Sequence, residues 1–173
     1  NNLGEKYGES GGIFSLKGGK TSIKDSEFRV DGNNVSRLAH GGGFIYISGD
    51  GDHTIEDNTM TGNSKDTSRQ TAFYGGAICI ENGTTASVTI KDNKITSTSV
   101  VSNGGAIAIG TDKAGKTPST INLSGNTISY TGTLMLSNQT GGAIFIGPGA
   151  VVTMDGDQID YASSKFAGAI YNE

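Results

Sequence analysis

The sequence predicts an all-β fold, a right-handed parallel β-helix of about five to six coils, each 26–37 residues long. Three observations carry that expectation. A glycine-pair motif recurs along the chain, a second motif follows each copy at similar distance, and apolar residues alternate with period two around both. No stretch carries the i, i+3, i+4, i+7 apolar stripe of a helix.

The first motif is Gly-Gly-small-apolar-x-apolar. It reads Gly11-Gly12-Ile13-Phe14-Ser15-Leu16, Gly42-Gly43-Phe44-Ile45-Tyr46-Ile47 and Gly75-Gly76-Ala77-Ile78-Cys79-Ile80. Gly104-Gly105-Ala106-Ile107-Ala108-Ile109 and Gly141-Gly142-Ala143-Ile144-Phe145-Ile146 follow, and a last copy begins at Ala167-Gly168-Ala169-Ile170-Tyr171. Repeats therefore start near 11, 42, 75, 104, 141 and 167, after a lead-in over 1–10, and the whole of 1–173 reads as one domain. A Cβ at the glycine pair is expected to clash in a tight corner.

The second motif is apolar-x-x-Asn-x-apolar: Ile23/Ser26/Phe28, Ile55/Asn58/Met60, Ile90/Asn93/Ile95, Leu123/Asn126/Ile128 and Met154/Asp157/Ile159. Asn58, Asn93 and Asn126 are expected to form a corner ladder. There asparagine tolerates the left-handed conformation of a bend and its amide bonds the coils above and below. Two strands around that corner plus the glycine-led strand make a triangular coil, with coils stacking about 4.8 Å apart. The right-handed sense follows from the rule for parallel crossovers. The spacers 61–74, 110–119 and 130–140 are expected to bulge from the coil.

Composition agrees with a solenoid. Glycine supplies 28 of 173 residues and charged residues only 17%, against averages of about 7% and 25%. The single cysteine, Cys79, excludes an internal disulfide and any multi-cysteine metal site. A net charge of −4 offers no basic footprint for nucleic acid. No apolar run reaches the length of a membrane span. The opening Asn1-Asn2 reads as the start of a mature or excised segment.

The paired motifs resemble the GGA(I/L/V) and FxxN repeats of the chlamydial polymorphic membrane proteins, which are autotransporter passengers. They are similar to those of adhesin-like β-helices more widely. The match runs from Gly11 to Ile170, with Gly75–Ile78, Gly104–Ile107 and Gly141–Ile144 carrying the first motif unaltered. Ile55, Ile90, Leu123 and Met154 stand where phenylalanine is usual, and Ser26 and Asp157 replace asparagine in the end coils. The resemblance implies an extracellular or cell-surface location and a role in adhesion.

Outward columns are where a solenoid keeps its function. One column reads Lys24, Glu56, Lys91, Ser124, Asp155 and its neighbour Ser22, Thr54, Thr89, Asn122, Thr153, as a solvated sheet face would. Single threonine files beside charges do not make an ice-binding array. The glycine-led strand differs. If its isoleucines face in, Phe44, Tyr46, Ala108, Phe145 and Tyr171 fall in two uncharged outward columns, an apolar stripe for a partner. That partner would be another copy of the chain, a host or cell-surface protein, or a glycan; cover by the chain's own loops is the competing reading. Asp25, Asp57 and Asp92 stack before the corner, and Asp50 and Asp52 share a loop, so calcium bridging two carboxylates is the one cofactor considered.

The expected function is a non-catalytic structural or adhesive solenoid, self-assembling into filaments by end-to-end or lateral packing. The alternative is a polysaccharide lyase or hydrolase, since many β-helices are. A lyase needs a cation and a base, a hydrolase two carboxyls at a defined separation. The three arginines, Arg29, Arg37 and Arg69, are dispersed, and His40, His53 and Cys79 lie apart in the repeat. Asp155 and Asp157 suggest a carboxyl pair, but Asp157 fills the corner-asparagine slot.

Overall fold

The computed structural model describes residues 12–29, 39–62, 71–111, 117–133 and 139–173. The lead-in over 1–10, Gly11, Arg37 and Arg69 lie outside the described residues.

The strands fall out turn by turn. The first turn holds β1 (Phe14–Lys17), β2 (Lys20–Lys24), β3 (Glu27–Arg29) and β4 (Ala39–Gly41); the second β5 (Ile45–Ser48), β6 (Asp52–Glu56), β7 (Thr59–Thr61) and β8 (Ala72–Tyr74). The third holds β9 (Ile78–Ile80), β10 (Ser87–Lys91), β11 (Lys94–Thr96) and β12 (Ser99–Val100). They are followed by β13 (Ile107–Ile109), β14 (Thr120–Ser124) and β15 (Thr127–Thr133), then β16 (Ile144–Ile146), β17 (Val151–Asp155) and β18 (Gln158–Ser163). The series closes with β19 (Ile170–Asn172). Every pairing is parallel, and each strand lies on its counterpart one turn away.

Three sheets result. One runs β1-β5-β9-β13-β16-β19, a second β17-β14-β10-β6-β2, and the third carries β3, β7, β11, β15 and β18 with β4, β8 and β12 beside them. The chain is thus an all-β parallel solenoid of about four turns, slightly fewer than the motif count suggested. Five stacked strands in the second sheet are joined by only four steps.

The interior is a file of Ile45, Ile78, Ile107 and Ile144 facing files of Ile55, Ile90 and Leu123 and of Met60, Ile95 and Ile128. Both motifs are therefore in the register that the repeat implied. At the last rung the interior side chains are less covered: Val152, Met154 and Ile159 are only partly buried against the core and Ile170 is 38% exposed.

The glycine pair works as expected, each glycine for its own reason. The first adopts positive φ at Gly42, Gly75, Gly104 and Gly141. The second would place a Cβ 2.0–2.3 Å from the carbonyl oxygen of the matching glycine in the next coil, as at Gly43 against Gly76. No side chain fits there.

The asparagine corner departs from expectation in one respect. Positive φ falls one residue earlier, on Asp25, Asp57, Asp92, Gly125 and Gly156. The preceding residue makes the bend, so the asparagine side chain is free to point inward. Short polar Asp is among the few non-glycine residues at ease there.

The ends of the expected spacers belong to the coil, while 63–70, 112–116 and 134–138 lie outside the described residues. Tyr130–Thr133 are strand, part of β15, because positive φ at Tyr130 bends that strand without ending it. Residues 71–74 and 110–111 are likewise described parts of the coil.

Candidate functional site

The apolar stripe is not a surface. Phe44 is fully buried, in the core with Ala77, Ala106 and Ala143. The reason is a bulge repeated in each coil. The N–H groups of Phe44 and Ile45 both donate to Ala77 O, at 3.0 Å each, and those of Ala77 and Ile78 both donate to Ala106 O. The backbone is bent at Phe44 and at Ala77, just ahead of the strands, so the alternation does not reach back to them and two successive side chains face inward.

Tyr46, Cys79 and Ala108 do lie on the other side of that sheet, in a cluster separate from the core. The chain itself covers them. Tyr74 packs against the cluster, and a Cβ on Gly41 would sit 2.6 Å from Cys79 Sγ, so the β4 backbone lies on the stripe. Phe145 is also buried, and Tyr171 is half-buried, stacked on Phe145 with ring centroids 6.0 Å apart. Burial pushes the Cys79 thiol well above its usual range, with Glu81 adding to the effect.

The asparagine ladder is continuous. Asn58 Nδ2 donates to Ile23 O at 2.9 Å and to Asn93 Oδ1 at 3.0 Å, and Asn58 N donates to the same oxygen. Asn93 repeats this toward Ile55 O and Asn126 Oδ1, and Asn126 toward Ile90 O and Asp157 Oδ1. All three asparagines are buried. Such networks are strong when every member is satisfied.

The acidic candidates are divided among other tasks. Glu56 accepts from Lys24 and Lys91, at 2.5 and 3.1 Å, and Lys91 also reaches Asp92. The hydrogen bond from Lys24, then that from Lys91, holds the Glu56 carboxyl below the usual carboxylate range. Asp52 pairs with Lys20 at 3.3 Å. Among the described residues no three His, Cys, Asp or Glu side chains are gathered as metal ligands, so Asp25, Asp57 and Asp92 form a column rather than a cluster. His40 is exposed beside Tyr74, whereas His53 is buried between Thr21 and Val88 in the stack. Neither ring nitrogen of His53 has a partner.

One exposed feature escapes the repeat pattern. Tyr130 and Tyr161 occupy equivalent places on β15 and β18, both at positive φ, 54° and 51°. Their rings stack at 4.7 Å and 5°. Left-handed backbone costs a bulky residue about 1–2 kcal/mol, and an aromatic pair returns about 0.5–1.5 kcal/mol. The signal was present: each tyrosine falls four residues after the corner, where the previous coil has Ser97.

Comparison with known proteins adds no name to the fold. No family model, curated protein or solved structure matches the chain. What the residues define is a parallel β-solenoid repeat protein. No helix among the described residues is long and apolar enough to cross a membrane.

Proposed function

We propose that the chain is a non-catalytic structural or adhesive solenoid of an extracellular or cell-surface setting. The observation that carries this reading is how the reactive side chains are employed. Asn58, Asn93 and Asn126 hold coils together, Glu56 is occupied by two lysines, and Cys79 is sealed under the β4 backbone. The likeness of the GGA(I) repeats to chlamydial autotransporter passengers supports the same setting. Partners in this reading are other copies of the chain, building filaments, or proteins and glycans of a cell surface.

Two measurements test the proposal together. Electron microscopy of the undigested protein in dilute neutral buffer is expected to show filaments or discrete rods, and the protein is expected to bind cells or immobilised surface glycans. Incubation with pectate, alginate and neutral polysaccharides is the opposing test. Release of unsaturated uronates or new reducing ends would establish a lyase or hydrolase instead.

A further inference from the structure

Tyr130 remains 56% exposed although one of its faces is covered by Tyr161. Its other face is therefore open, on the side of the preceding coil. There Ser97 holds the equivalent position, with the same left-handed backbone (φ 60°) and only a hydroxymethyl group. Stacking leaves one coil spacing, about 4.8 Å, between the two levels. Outward of Ser97 there is thus a slot beneath the Tyr130 ring, with Gly62 at the equivalent place one coil further on, where a third tyrosine would continue the stack.

Hydroxyl groups line the base of this slot. Ser129 Oγ donates to Thr96 Oγ1 at 3.3 Å, and Thr96 Oγ1 lies 3.5 Å from Ser97 Oγ. All three residues are partly exposed, so these loose contacts are readily exchanged for a ligand's. The left-handed corner requires no ring, since Ser97 makes the same turn; what the tyrosine adds is its stack on Tyr161 and an exposed aromatic face. The stack returns less than the left-handed backbone costs, and strain that is not fully offset points to function.

We propose that the open face of Tyr130, with Thr96, Ser97 and Ser129, is a subsite for a neutral saccharide ring. The inference rests on the adhesive reading above and names its ligand class. A pyranose offers an apolar C–H face to the tyrosine, at carbon contacts of about 3.5–4.0 Å, and hydroxyls at its edge to the serine and threonine side chains. Ligand sites combine an apolar wall with a few polar groups in this way. A protein partner fits less well. Two rings in a polar surround fall far short of the roughly 800 Å² per side of a stable interface.

Saturation-transfer NMR on the full chain tests the subsite, with cellotetraose, laminaritetraose and chitotetraose as probes. Transfer to at least one probe is expected. Tyr130→Gly relaxes the backbone while removing the ring, so binding should weaken at least tenfold with the melting temperature unchanged or raised. Ser97→Tyr fills the slot at a φ that tyrosine already tolerates next door, and should abolish binding. Transfer to none of the three probes overturns the proposal, as does binding that survives both substitutions. Self-association of the chain that is lost in Tyr130→Gly also overturns it, by giving the ring to a second copy. If Tyr130→Gly still adheres to cells, the subsite fails while the adhesive reading stands; cleavage of a probe would end both.

Discussion

Asn126 donates twice to one oxygen of Asp157, from its backbone N–H at 2.9 Å and its side-chain amide at 2.7 Å. The second carboxylate oxygen, Oδ2, is buried without a partner. In the coils below, an amide stands there and donates to a carbonyl one coil back: Ile23 O, Ile55 O and Ile90 O in turn. The ladder continues by register to Leu123 O.

Asp157→Asn should therefore stabilise the fold by about 1 kcal/mol, since it supplies a donor where an acceptor is stranded. Asn93→Ala should do the reverse and cost roughly 3 kcal/mol, by orphaning buried groups on both neighbouring coils. Urea midpoints of the two variants check the pair. A destabilised Asp157→Asn would contradict the ladder as described.

His53 sits in an interior column whose other members are Thr21, Val88, Ile121 and Val152. With both ring nitrogens buried and unpaired, it carries a desolvation cost that valine would not. His53→Val is expected to raise stability by about 1–2 kcal/mol, within the usual cost of a buried orphan. Chemical denaturation reads this directly, and a loss of stability would mean the imidazole has a role in packing that outweighs its orphaned nitrogens.

Cys79 and Ala108 make a paired test of the covered stripe. The raised thiol pKa and complete burial predict that Cys79 resists a disulfide reagent at neutral pH until the protein unfolds. Ala108→Lys should unfold the chain instead of merely changing its association, because the ammonium would be buried without a partner. Thiol labelling at native urea concentrations and the circular dichroism of the lysine variant are the readouts. A soluble, folded Ala108→Lys would reinstate the stripe as a surface.

Glu56 gives a pH signature. Its carboxyl is held below the usual range by Lys24 and Lys91, so its stabilising contribution is present above the ordinary carboxylate pKa. It is lost as pH falls through the lowered value. Glu56→Gln should flatten part of the acid arm of a melting profile taken between about pH 5 and pH 2. The difference should be small and shrink in high salt, as exposed ion pairs do. An acid arm identical in both proteins would mean the pairs contribute nothing measurable.

Much of this architecture is legible in the sequence because a solenoid writes its register as a repeat. Ile55 over Ile90 over Leu123 and Glu56 between Lys24 and Lys91 follow from aligning the two motifs. What the repeat hides is anything that interrupts alternation. Period two, carried back through the bulge, puts Phe44 outside, and no residue type announces the bulge. Tyr46 and Ala108 face the expected way, yet what lies over them is another part of the chain, which local pattern does not encode. Tyr130 escapes the pattern because a left-handed tyrosine breaks the rule that such places go to Gly, Asn or Asp.

The bulge at the head of each coil has a wider consequence. Two N–H groups meeting one carbonyl pin the starting point of every turn to the turn beneath it. Whatever the chain does on its way round, it resumes from the same mark. The unequal spacing of the motifs, from 26 to 37 residues, is then harmless: residues gained or lost between marks change the outline of one storey and leave the alignment of the others intact. Such a scaffold accepts inserted loops one at a time, each variation confined to its own level.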